Sequence, residues 1–140
     1  MQVFIVGTPL ETAMALSKRH LNNQINEASI ILAALNGDKA WSNHPCVLQY
    51  KGHERWLLNY MYCLIGYIQS DMLLALNSNH NCEQLTPNFH TQEYYEQMKR
   101  RLYTKDSEHY KQWLHLGTSE ENWYFVNGEW RKYINGKRFE

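Results

Sequence analysis

The sequence predicts a mainly α protein, a compact bundle of about three to five helices closed by a small C-terminal β-hairpin or meander. Three observations carry this. Apolar residues recur with a helical rhythm through the first half of the chain. Pro-based helix-start signals stand before two of those stretches. The last twenty or so residues switch to short aromatic and β-branched runs separated by two Asn-Gly pairs.

The first residues, Gln2 to Val6, read as a short extended segment ending at Gly7. Thr8-Pro9-Leu10-Glu11 then matches a capping box with Pro at the first helical position. Leu10, Met14, Leu21, Ile25, Ala28, Leu32 and Leu35 continue the rhythm, and Asn36-Gly37 stops it, so one helix is expected over about 9–35. Asn43-His44-Pro45 opens a short helical piece running to Tyr50 before Gly52. A long aromatic-rich helix follows over about 53–76, through Trp56, Leu57, Tyr60, Leu64, Tyr67, Ile68 and Leu74. Residues 77–90 are polar and read as a loop long enough to act as a lid. Two shorter helices are expected over about 91–103 and 106–115. Strands are expected at Trp123–Val126, Glu129–Ile134 and Lys137–Phe139, joined through Asn127-Gly128 and Asn135-Gly136. One domain covers 1–140, a helical body over 1–120 and the meander tail over 121–140.

With 14 basic and 14 acidic residues the chain is formally neutral, which argues against indiscriminate polyanion binding. The cations are nonetheless clustered. Lys99, Arg100, Arg101 and Lys105 form one patch, and Arg131, Lys132, Lys137 and Arg138 another, and a local patch can bind nucleic acid. Three cysteines (Cys46, Cys63, Cys82) at non-metal spacing argue against a disulfide framework and point to a reducing, cytoplasmic compartment. The N-terminus does not read as a signal peptide and no apolar stretch reaches spanning length, so no membrane association is expected.

His20, Asn23, Gln24 and Glu27 fall at i, i+3, i+4 and i+7, on one side of the first helix and away from the Leu21/Ile25/Ala28 stripe. A solvated helix face fits that pattern, and so does a polar site built around a carboxylate. Asn43 and His44 read either as a helix cap or as site residues, and Lys51 with Arg55 either as exposed cations or as phosphate contacts. The remaining histidines (His80, His90, His109, His115) form no HxH or HExxH arrangement, and GxSxG, Walker and GxGxxG motifs are absent, so no metal or cofactor is expected.

Leu16, His20, Leu21, Gln24, Glu27 and Ala28 make an L-x-x-x-H-L-x-x-Q-x-x-E-A pattern, followed by A-L-N-G at 34–37 and W-x-N-H-P-x-V-x-x-Y-x-G-x-E from Trp41 to Glu54. A later segment from Arg101 to Tyr110 reads R-L-x-x-K-D-x-x-H-Y, and Trp123-Tyr124 closes the series. Together these motifs resemble the phage endonuclease V-like pyrimidine dimer DNA glycosylases over roughly residues 1–125. The resemblance implies a DNA glycosylase with abasic-site lyase activity on a damaged or modified base in duplex DNA, acting as a monomer. It implies attack on the sugar C1′ by the N-terminal α-amine and an imine intermediate, with Glu27 as the catalytic carboxylate. The amine is that of Met1, or of Gln2 if Met1 is removed. Gln2 stands where the family exposes a small residue, and a bulky second side chain hinders that removal. DNA-contacting positions are expected at His20, Asn23, Asn43, His44, Lys51, Arg100, Arg101 and Lys105. Non-catalytic nucleic-acid-binding and protein-interaction relatives of the same fold are the alternatives.

Overall fold

The computed structural model describes residues 1–139. With 56% of the chain helical and a three-stranded antiparallel sheet at the C-terminal end, the mainly α class holds. The helices are α1 (Pro9–Ala15), α2 (Lys18–Leu35), α3 (Pro45–Gln49), α4 (Glu54–Ile68), α5 (Met72–Glu83) and α6 (Gln92–Lys105), followed by a 3-10 helix at Lys111–Leu116. The strands are β1 (Asn122–Val126), β2 (Glu129–Ile134) and β3 (Lys137–Phe139), in spatial order β1-β2-β3.

Helices outnumber the expected three to five because two long predicted helices are broken by caps buried in their sequences. The helix expected over 9–35 stops at Leu16, whose backbone is extended, and restarts on Ser17, whose hydroxyl accepts from the His20 N–H at 3.2 Å. The helix expected over 53–76 ends at Ile68; Ser70 turns the chain with φ 58°, and Asp71 caps a new helix by accepting from Leu74 N–H at 3.1 Å. That new helix, α5, runs through the first half of the stretch expected to be a loop. Its polar sequence conceals a stripe of small residues, Ala75, Ser78 and Cys82, which are buried and recur at helical spacing. The stripe packs on α4 so closely that a Cβ added to Gly66 would lie 2.7 Å from Ala75 N. The region expected to be helical over 106–115 is turns and then the 3-10 helix.

The other signals hold as read. Thr8 and Glu11 form the reciprocal capping box. Both Asn-Gly pairs have positive φ at both residues, as a type I′ turn requires: 53° and 79° at Asn127-Gly128, 51° and 78° at Asn135-Gly136.

The core is one cluster around α4. Trp56 and Tyr60 stack there, with Tyr50, Phe89, His90 and Tyr94 packed against them. Each large side chain so buried contributes about 1.5–3 kcal/mol. The sheet is fastened to the helices through buried Tyr124 and Val126, through Phe125 N–H donating to Gln49 Oε1 at 2.9 Å, and through Gln97 donating to Glu121 O at 2.9 Å.

Candidate active site

The extended N-terminal segment joins no sheet, yet Val3 and Ile5 are fully buried, so its backbone groups must be satisfied by other means. Side chains supply them. The Gln24 amide acts as a substitute strand: its Oε1 accepts from Phe4 N–H at 2.7 Å and its Nε2 donates to Gln2 O at 2.9 Å. The Tyr60 hydroxyl lies 2.6 Å from Phe4 O and 2.9 Å from Gln24 Oε1. Thr12 Oγ1 accepts from Val6 N–H at 3.0 Å, and the Tyr124 hydroxyl donates to Met1 O at 2.8 Å. The first six residues are thereby anchored by α1, α2, α4 and β1.

Next to this clamp stands Glu27. Its Oε2 accepts from Gln2 N–H at 3.2 Å and from Gln24 Nε2 at 3.1 Å. The carboxylate borders an open pocket of about 370 Å³ lined by Phe4, Arg19, His20, Asn23, Gln24, Glu27 and Lys105. Two cations, one carboxylate and one imidazole therefore share a single concavity.

The polar face of α2 is not a solvated one. His20 and Gln24 are buried, while Asn23 is exposed. Nδ1 of His20 lies 2.6 Å from the Tyr110 hydroxyl, and the two rings stack. Since the same hydroxyl accepts from Ser17 N–H at 3.0 Å, the hydroxyl and Nδ1 are both satisfied when Tyr110 donates to Nδ1, which leaves the proton of the neutral ring on Nε2. Burial first, then the positive charges of Arg19 and Lys105, lower the His20 pKa, which favours the neutral ring. Burial and the neighbouring Arg101 likewise lower the pKa of Lys105, while Glu27 pulls the other way.

The remaining expected site residues lie elsewhere. The side chain of Arg101 is turned inward, its Nε donating to Asn122 Oδ1 at 3.0 Å and its Nη1 to Ser119 O at 3.1 Å, so it fastens the segment leading into β1. Arg100 donates to Leu116 O at 3.0 Å. His44 caps α3, its Nδ1 accepting from Cys46 N–H at 3.0 Å, and its ring meets Tyr124 edge-on. Burial and the positive charge of the Met1 amine lower the His44 pKa. Asn43 is exposed, and Lys51 is exposed at a different hollow, shared with His53, Phe125 and Gly128.

Arg19 lines the pocket but was not among the expected positions. A signal for it was present, because Arg19, Asn23 and Glu27 recur at i, i+4 and i+8 along α2. Gln24, though on the expected polar face, gave no sign that it would bind the N-terminal backbone. Nor could Tyr110 be tied to a histidine 90 positions away.

A carboxylate held against a main-chain nitrogen and facing cations can take up a proton or stabilise a developing positive charge, while the cations attract phosphate. The family model for pyrimidine dimer DNA glycosylase matches residues 1–70, which contain Glu27, Arg19, His20 and every clamp residue but Tyr124. No curated protein and no solved structure gives a significant match. With half of the chain matched and the α2 motif inside the match, the protein belongs to the pyrimidine dimer DNA glycosylase family.

Proposed function

We propose that the protein is a DNA glycosylase with associated abasic-site lyase activity, acting on a damaged or modified base in duplex DNA through the pocket at Glu27. The observation that carries the reading is the 3.2 Å separation between Glu27 Oε2 and the backbone nitrogen of Gln2. Removal of Met1 turns that nitrogen into an α-amine, a group whose ordinary pKa near ~7.7 leaves a useful fraction unprotonated at neutral pH. The amine attacks C1′ of the flipped nucleotide and displaces the base, leaving an imine to the opened sugar. Glu27 stabilises the cationic sugar and then takes the C2′ proton, so that the C3′–O bond breaks and the strand is nicked. Arg19 and Lys105 at the pocket wall supply the positive field for the phosphates. Arg101 acts behind them, by fixing the segment it binds.

The test is nicking and borohydride trapping on ultraviolet-irradiated and abasic duplexes, comparing the protein with Glu27→Gln. The variant keeps an oxygen to accept from Gln2 and Gln24, so the fold and DNA affinity are retained. The expected loss of nicking is about 10²–10⁴-fold, the usual contribution of a positioned acid or base. A Glu27→Gln protein that nicks at the parent rate refutes the role given to Glu27. Absence of any adduct with either protein refutes the lyase reading.

A further inference from the structure

Of the five tryptophans, Trp56 and Trp113 are buried, Trp123 and Trp130 half-buried, and Trp41 is 56% exposed. The backbone of Trp41 is also unusual. Its φ is 67°, in the left-handed region that bulky side chains rarely enter. A turn fixes this conformation, with His44 N–H donating to Trp41 O at 2.9 Å. The indole meets the His44 ring edge-on, with centroids 5.9 Å apart. The fold thus holds a large apolar ring outward in a strained conformation instead of burying it, and such outliers cluster at active sites and ligand clamps.

A short series of contacts joins Trp41 to the candidate active site. His44, whose Nδ1 caps α3, meets Tyr124 edge-on at 5.7 Å, and the Tyr124 hydroxyl donates to Met1 O at 2.8 Å. That carbonyl belongs to the peptide whose nitrogen is Gln2 N, 3.2 Å from Glu27 Oε2. Trp41 does not itself line the Glu27 pocket, so its partner is a nucleotide other than the reacting one. Taking a nucleotide out of the stack uncovers the faces of the bases beside it. An indole presents a flat apolar face to such a base, and stacking of this kind tolerates any sequence. We propose that Trp41 stacks on a base flanking the flipped nucleotide and so distinguishes a duplex with an unstacked lesion from an intact one. This rests on the glycosylase reading above and gives a partner to a side chain that takes no part in its chemistry.

The surroundings of the indole suit that partner. Lys39, two residues before it, is exposed, and Asn43 in the same turn is exposed as well. A phosphate and a base edge therefore find a cation and an amide close to the ring in the chain. The acid nearest in sequence, Asp38, is engaged by Ala40 N–H at 3.0 Å. Because the turn already fixes the Trp41 backbone, little further ordering is required when a base stacks on it.

The experiment uses the full chain and two duplexes of one sequence, one intact and one carrying a tetrahydrofuran abasic analogue, which has no C1′ aldehyde and is not cleaved. Affinity for each duplex is measured for the parent, Trp41→Phe and Trp41→Gly, together with the Tm of each protein. Glycine adopts φ 67° freely, so Trp41→Gly removes the indole and the strain together, and its Tm should not fall. The expected result for Trp41→Gly is a loss of at least about fivefold on the analogue duplex and a change under about twofold on the intact one, with Trp41→Phe between. The emission that Trp41→Phe lacks should also be quenched when the parent binds the analogue duplex. A Trp41→Gly protein that keeps the parent's preference, or loses equally on both duplexes, overturns the stacking role and leaves the glycosylase reading standing. Should Trp41→Gly lose its fold, absence of quenching in the parent overturns the stacking role and its presence upholds it. A parent with no preference for the analogue duplex overturns it too, and if that parent nicks neither irradiated nor abasic DNA the glycosylase reading falls with it.

Discussion

The Gln24 clamp gives the most direct check on how the fold builds its site. Gln24→Met keeps the length of the side chain and removes both polar ends. Two buried main-chain groups then lose their partners: Phe4 N–H, now bonded at 2.7 Å, and Gln2 C=O, now bonded at 2.9 Å. Tyr60 is not counted, because its hydroxyl keeps Phe4 O at 2.6 Å. Stranding a buried polar group costs about 1–3 kcal/mol, and partial relaxation of a terminal segment puts the pair at roughly 2–4 kcal/mol. For a chain of this length that is a fall in Tm of about 6–20 °C. Urea unfolding followed by fluorescence of buried Trp56 and Trp113 measures the free energy, with the slope against urea as a control on the unfolded state. Because the lost bonds also hold Gln2 against Glu27, nicking activity should fall further than the folded fraction does. A change in stability below about 0.5 kcal/mol would show that water or a shifted backbone satisfies these groups, and the clamp argument would be wrong.

Two further outcomes concern the histidines. His90 is buried among aromatic rings with its pKa lowered to about 3, first by burial and then by the charge of His53. As pH falls below 6.5 the unfolded chain takes the proton first, so stability is constant above that value and declines between 6.5 and about 3, by up to about 1.4 kcal/mol per pH unit. His90→Gln leaves an acceptor for the Tyr50 hydroxyl and should flatten that acid limb; a limb of unchanged slope in chemical denaturation at pH 4–6 would place the titration elsewhere. Arg19→Gln removes the largest charge acting on His20, so the ring should titrate at higher pH, read from its proton resonances by NMR. An unmoved midpoint would mean that the field of Arg19 is screened at the pocket wall.

Signals confined to a few neighbouring residues were legible in the sequence. The capping box at Thr8–Glu11, the two Asn-Gly turns and the α2 motif around Glu27 needed only local spacing. Two caps were missed because their helices continue in nearly the same rhythm on either side: Ser17 lies between stretches that read as one amphipathic run, and Asp71 follows a helix whose apolar residues extend into the next. The α5 stripe was missed because its buried residues, Ala75, Ser78 and Cys82, are small, and hydropathy hardly weighs them. Long-range pairings were beyond reach altogether. That Arg101 would turn inward to Asn122, while Lys105 one turn later was left open to the pocket, depends on where the chain returns after the 3-10 helix.

Chain ends ordinarily fray, and holding one down costs conformational entropy of about 1–2 kcal/mol for each residue fixed. Here residues 1–6 are held by Tyr124, Gln24, Tyr60 and Thr12, which is more than burying Val3 and Ile5 alone would require. The excess is directed at one atom. Gln2 N–H and Gln24 Nε2 both donate to Oε2 of Glu27, and among the described residues no hydrogen bond falls on Oε1, so one oxygen is anchored and the other is left for chemistry. That division suits the proposed chemistry, in which the nitrogen of Gln2 lies 3.2 Å from the anchored oxygen. The clamp thereby positions the proposed nucleophile and base together. Fixing the carboxylate is thus what the held N-terminal segment accomplishes, since Gln24 binds Glu27 and the Gln2–Phe4 backbone at once.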